Sequence, residues 1–249
     1  MQVKLAQNYG FCFGVKRAIK IAESYNSSST MGPLIHNQDE INRLKKDYNV
    51  GLYETLDQVK DNDTVIVRTH GIQKNDLKEL KSKNAKVINA TCPFVTTPQQ
   101  IVKKMSKEGY SILIFGDSNH PEVKGVKSYS EDQEDVHVIM EIDELKNINF
   151  KHNKIATVAQ TTKKKEKYLE IVNHLILINK EVRVFNTICD ATFENQDAAR
   201  DLSKEVDVMV IIGGKNSSNT KQLHAICKEN CEDSYLIENE NELESNWFK

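Results

Sequence analysis

The sequence has no long apolar run. The longest, around Leu175–Ile178, is far too short to cross a bilayer, which excludes a membrane span of the usual helical kind. It has no excess of either charge. Its 34 Lys and Arg stand against 36 Asp and Glu, a formal net charge of −2, which argues against a general binder of nucleic acid or other polyanions. Any anion site must therefore be local, built from a few residues. Cysteines are neither dense nor even in number. Five of them, without a signal peptide, exclude a disulfide scaffold and point to a reducing cytoplasm. Abundant Lys, Asn and Glu do not mean disorder here, because periodic apolar residues run through them and the polar ones read as solvated helix faces. A chain of 249 residues is long enough for one large core or two to three small α/β domains.

The organising stretch is KVINATCPFVTTPQQIVKKM, residues 86–105. Its apolar alternation predicts a strand ending at Thr91-Cys92, and Ile101, Val102 and Met105 predict a helix soon after Pro93. Cys92 thus stands where a strand stops and a helix begins, where unpaired N–H groups favour a thiolate. The arrangement recurs twice, with VKLAQNYGFC ending at Cys12 and EVRVFNTIC at Cys189. Three such units suggest three thiolates converging on one centre.

Taken in order, the sequence predicts strands at 2–8, 33–37, 50–53, 64–67, 110–115, 136–140, 155–159, 207–212 and 234–237, besides those leading to Cys92 and Cys189. Helices alternate with them, and residues 27–30 read as a loop. Alternation of this kind means parallel α/β sheets. An internal repeat follows, in which each unit carries two polar strand tips and closes on a cysteine strand. The first unit covers 13–92, the second 93–186 and the third 187–249, the last completed by a strand within residues 1–12. The third is shortest and lacks one strand and tip, so it is expected to be truncated, with a further block past Lys249.

Ligands of parallel sheets bind beyond the carboxyl ends of the strands, so one cleft would collect the tips. Three widely spaced cysteines fit no zinc knuckle and no redox pair, and suit an iron–sulfur cluster with one iron left open. A single cysteine after a strand is more often a small buried hydrophobe, and the threefold repetition is what shifts the balance. Cys227 reads as packing and Cys231 as incidental. His36, His70 and His120 each follow an apolar strand. One alone would be a cap or a core residue, whereas three at equivalent ends point to an anion or metal site. GGKNSSNT, with Ser217, Ser218 and Asn219, offers a phosphate cradle or an ordinary helix cap. Glu122 is the natural proton donor, or else a first-turn helix carboxylate. Thr161 either hydrogen-bonds a substrate hydroxyl or merely ends its strand.

In order, GFCFGVKRAI, GPLIHN, RTHG, ATCPFV, NHPEVKG, AQTT, NTICDAT and GGKNSSN closely resemble the 4-hydroxy-3-methylbut-2-enyl diphosphate reductase (IspH/LytB) family. The resemblance implies three α/β units around a central cluster. It also implies reductive removal of the C4 hydroxyl of that diphosphate, giving isopentenyl and dimethylallyl diphosphates in the last step of the non-mevalonate route. It implies a [4Fe–4S] cluster on Cys12, Cys92 and Cys189, and a diphosphate pocket at His36, His70, His120, Ser217, Ser218 and Asn219. Proton delivery falls to Glu122 beside Thr161. An electron donor such as ferredoxin or flavodoxin, a cytoplasmic monomer, and no nucleic acid or membrane partner complete the expectation. Asn195-Gln196 departs from the family's Arg-Gln, and no residue here matches a further diphosphate-binding serine of the family. Two alternatives stand beside this reading: a truncated, inactive or merely cluster-binding relative, and a metal-dependent phosphohydrolase using the three histidines.

Overall fold

Short apolar segments, most of them followed by an amphipathic helix, leave the chain one economical solution, parallel strands joined by helical crossovers. The computed structural model describes residues 1–248. In the first unit, β1 (Ser29–Met31), β2 (Gly51–Tyr53), β3 (Thr64–Val67) and β4 (Lys86–Asn89) form a sheet of order β2-β1-β3-β4. In the second, β5 (Ser111–Phe115), β6 (Val136–Ile139), β7 (Lys154–Ala159) and β8 (Glu181–Val184) form the order β6-β5-β7-β8, the same spatial sequence. In the third, β9 (Met209–Ile212) pairs with β10 (Ser234–Ile237). Every ladder is parallel.

The helices are α1 (Phe13–Glu23), α2 (Gln38–Tyr48), α3 (Lys74–Ser82), α4 (Pro93–Lys107), α5 (Pro121–Lys127), α6 (Lys165–Ile178), α7 (Asp190–Ser203) and α8 (Ser218–Lys228). None is long and apolar enough to cross a membrane. The inner strands β5 and β7 are buried almost throughout, as continuous apolar runs covered on both faces should be. Edge strand β8, with sequence EVRV, is largely exposed. Separate cores lie on the two faces of this second sheet, one around Phe115, whose ring stacks on Tyr168 of α6 at 6.0 Å.

Two expectations need correction. Residues 2–8, expected as a strand, form none in the structure. In the first two sheets the fourth strand pairs with the third, and beside β9 no third strand stands among the described residues. With no ladder to join, the segment stays unpaired, and Val3 and Leu5 are 76% and 72% exposed. The strand expected at 33–37 lies instead at Ser29–Met31, overlapping the stretch read as a loop. Gly32 turns the chain at φ 73° and Pro33 has no N–H to donate, so a central strand cannot continue through them. Helix α5, which makes Glu122 a first-turn carboxylate, starts at Pro121 in the first helical position, with His120 capping it. Trp247, two residues from the end, packs face to face on Tyr235 of β10 at 4.0 Å.

Phe115→Ala should lower unfolding free energy by about 3–5 kcal/mol, because it empties the middle of a core. Leu177→Ser, on a side chain 83% exposed, should change it by no more than about 0.5 kcal/mol. Urea titration of the two variants measures both.

Candidate active site

Each of the three cysteines is the residue immediately before a helix: Cys12 before α1, Cys92 before α4, Cys189 before α7. Their extended backbones aim the side chains into one cleft of about 510 Å³. Two of them are held by the same device in successive units. Cys92 N–H donates to the Thr69 carbonyl and Cys189 N–H to the Thr161 carbonyl, both at 3.0 Å, tying each cysteine to the neighbouring strand tip. Gly14 lets the first cysteine approach the second. A methyl on Gly14 would lie 2.5 Å from Cys92 Sγ and 3.9 Å from Cys12 Sγ.

The helix starts do donate to sulfur, from Phe94 and Val95 to Cys92 and from Ala191 and Thr192 to Cys189. Yet burial, reinforced by the neighbouring cysteines, pushes both thiols above the usual range. The expectation that helix N-termini alone would favour thiolates is therefore corrected, since desolvation outweighs them. Thiols held this way become ligands when a metal cation takes the place of their protons. Cys227 and Cys231 lie apart, buried together in the core between α7, α8 and β9. Cys227 is pushed up to about 11 by burial. Cys231, read as incidental, proves to be a core residue as well.

Above the cysteines stand three imidazoles. His36 and His70 rings are 4.5 Å apart, His36 and His120 5.9 Å, His70 and His120 5.4 Å. Burial lowers all three, His120 to about 4, and His36 further depresses both His70 and His120, while Arg68 acts on all three. At neutral pH they are uncharged donors. His120 Nδ1 accepts from the Glu122 N–H at 3.2 Å, which assigns the proton to Nε2. The Nε2 atoms of His36 and His120 are buried without a partner, as is Asn219 Oδ1. The nitrogens of the three rings also lie within 4.8 Å of one another, close enough to hold a metal ion. The helix start beside them speaks for an anion instead. There Ser217 caps α8 by accepting from Thr220 N–H, and Ser218 shares a 2.9 Å hydrogen bond with Thr162.

Glu122 is 2% exposed. Its two oxygens accept from Thr161 N–H at 2.7 Å and Thr161 Oγ1–H at 2.8 Å. Those bonds favour the carboxylate, but burial wins and the carboxyl group keeps its proton above the usual carboxylate range.

All eleven residues singled out in the sequence therefore line this cleft. Sequence reading missed Thr162, whose signal was the second threonine of AQTT. It also missed Arg68, half-buried behind the histidines. The Arg68 Nε–H donates to the Gly71 carbonyl at 3.3 Å, its guanidinium fills the space left by Gly32, and its charge helps to keep the imidazoles neutral. At the departure from the family pattern, Asn195 lines the cleft and Gln196 is buried with its amide nitrogen unpartnered.

Comparison with known proteins agrees. The family model described as LytB protein matches residues 3–249. The 4-hydroxy-3-methylbut-2-enyl diphosphate reductase of a Nitratiruptor species is 64% identical over 249 residues, covering 100% of this chain and 89% of that protein. The reductase of the same name from a Sulfurovum species is 62% identical, covering 100% and 90%. A solved (E)-4-hydroxy-3-methyl-but-2-enyl diphosphate reductase, the terminal enzyme of the non-mevalonate pathway, is 42% identical with a TM-score of 0.73, over 98% of this chain and 88% of that one. The E-1-hydroxy-2-methyl-but-2-enyl-4-diphosphate reductase of Plasmodium falciparum superposes with a TM-score of 0.89 at 27% identity, over 96% and 77%. With the match running through both the strand tips and the cysteines, the chain belongs to the LytB protein family.

Proposed function

We propose that this chain reduces 4-hydroxy-3-methylbut-2-enyl diphosphate to isopentenyl and dimethylallyl diphosphates. Two electrons and two protons enter, the C4–O bond breaks, and the hydroxyl leaves as water. The observation that carries the reading is one cleft holding three cysteines, a buried carboxyl group held above the usual carboxylate range and three neutral imidazoles. Relatives at 60–64% identity that bear the reductase name do not favour the phosphohydrolase alternative.

Cys12, Cys92 and Cys189 would hold a [4Fe–4S] cluster, and the donor set fits it: soft sulfur, three ligands on one cleft, and, at Cys92 and Cys189, burial that disfavours free thiolates. When bound, the cluster supplies Lewis acidity and one-electron transfer at the allylic oxygen. The chain's own residues do the rest. Nε2–H of His120, the other two imidazoles, the Ser217 and Ser218 hydroxyls and the start of α8 hold the diphosphate, while Asn219 accepts within the same pocket. This fixes the hydroxyl end toward the cysteines. Glu122 donates its proton to the departing hydroxyl, and Thr161, already bonded to both carboxyl oxygens, stabilises the carboxylate that remains. A ferredoxin or flavodoxin would deliver the electrons to a monomer in a reducing cytoplasm, in keeping with five unbridged cysteines.

Serine at position 12, 92 or 189 should remove iron and acid-labile sulfide from anaerobically purified protein, whereas Cys227→Ser should retain both. Iron loss confined to Cys227→Ser would reverse the ligand assignment. Glu122→Gln should lower turnover with a chemical reductant by roughly 10²–10⁴-fold and leave inorganic diphosphate binding nearly intact. Near-normal turnover would assign the proton to another group.

The histidines set a pH window. Their folded pKa values lie below the ordinary 6.5, so the stability they contribute is complete above 6.5 and is lost as pH falls toward about 4, the value for His120. Melting temperature should drop across that interval, and His120→Gln should make the drop shallower. An unchanged slope in the variant would show that other groups control it.

A further inference from the structure

The proposed reaction consumes two electrons that originate outside the chain, so a carrier must dock close to the cysteines, and any docking surface rests on that reaction. The helix that begins at Cys12 offers a surface of unusual composition there. Phe13, the next residue, is 63% exposed. Lys16, Arg17 and Lys20 follow at spacings of three, four and seven, which places them on the same face of α1. Together with Ile21, Ser24 and Tyr25 they line one open hollow.

Arg17 ties this face to the second cysteine. Its guanidinium donates to the Thr91 carbonyl at 3.2 Å and to the Asn89 carbonyl at 3.5 Å, just ahead of Cys92. Two residues beyond Cys92, Phe94 is 41% exposed at the rim of the cleft. The charge on this surface is unspent. The first turn of α1 holds no acidic residue, and Lys16 and Lys20 join no ion pair among the described residues. In the lysine run that opens α6, Lys164 pairs with Glu229, Lys167 with Glu141, and Lys165 lies over the Phe193 ring. In a chain of net charge −2, an uncompensated basic strip with exposed aromatics beside two cleft cysteines is a local signal.

We infer that the α1 face formed by Phe13, Lys16, Arg17 and Lys20, bordered by Phe94, is the docking surface for a small acidic protein that carries one electron at a time. Charge complementarity selects the partner. Electron-transfer encounters are small and steered mainly by opposite charge, with apolar side chains at the centre of contact. Two reduced carriers each give up one electron per turnover and leave oxidised, and their charge makes the encounter sensitive to salt.

The test uses the full chain loaded with its cluster, with reduced acidic ferredoxin or reduced methyl viologen as alternative donors. K16E/K20E should lose about tenfold or more in ferredoxin-driven turnover and most of its salt dependence, while viologen-driven turnover is retained. K78E/K81E, the same change of charge on α3, should alter neither. An unchanged ferredoxin rate in K16E/K20E, or an equal loss in K78E/K81E, overturns the docking surface and leaves the proposed reaction standing. Lack of viologen-driven turnover in the unaltered protein overturns the reaction itself, and the docking surface with it. If K16E/K20E also loses viologen-driven turnover, the milder K16Q/K20Q decides by the same comparison.

Discussion

Placing three cysteines at three helix starts that face one another sets two electrostatic effects in opposition. The first-turn N–H groups of α4 and α7 solvate the sulfurs and favour negative charge. Burial and the proximity of the other sulfurs oppose it, and they win. Such a cleft is stable with its protons on or with a cation in their place, and it resists the intermediate condition of free thiolates. The threefold repeat is the geometry this requires. Each of three helix starts delivers one cysteine to a common point, and two of the cysteine N–H groups are anchored on the neighbouring strand tip.

The upper half of the cleft follows similar logic with other groups. Its imidazoles are neutral and Glu122 holds its proton above the usual carboxylate range, all by desolvation. The substrate's diphosphate would therefore be the principal negative charge there, met by N–H and O–H donors already in place and by Arg68 behind them. Preorganised dipoles of this kind need little rearrangement when the ligand arrives.

Much of this was legible in the sequence because strand tips, cysteines and histidines follow apolar runs whose ends are easy to read. The three helix-capping cysteines, the three histidines, Glu122 and Thr161 all emerge from that pattern, while the pairing of the last two was implied only by the family resemblance. What escaped depends on distant partners. Residues 2–8 alternate like a strand, yet a strand exists only where a ladder receives it. Ser29–Met31 carries little apolar signal and is a strand because β2 and β3 flank it. The raised thiols of Cys92 and Cys189 reflect burial created by all three units, which no local stretch encodes. Arg68 could be seen but not placed, since its role depends on Gly32, far from it along the chain.

Where the third unit meets the first, the loop after β9 leans on the loop before α2 with no side chain between them. Even a methyl group on Gly214 would overlap the carbonyl oxygen of His36. Two sides of the cleft, the start of α8 and the first histidine, are thus registered main chain to main chain. Side chains can repack around a substitution, but a contact of this type has no slack. A shift of the third unit would carry His36 with it or open a gap through which water enters. The units can diverge in sequence across most of their surfaces, yet at this crossing they have to drift together.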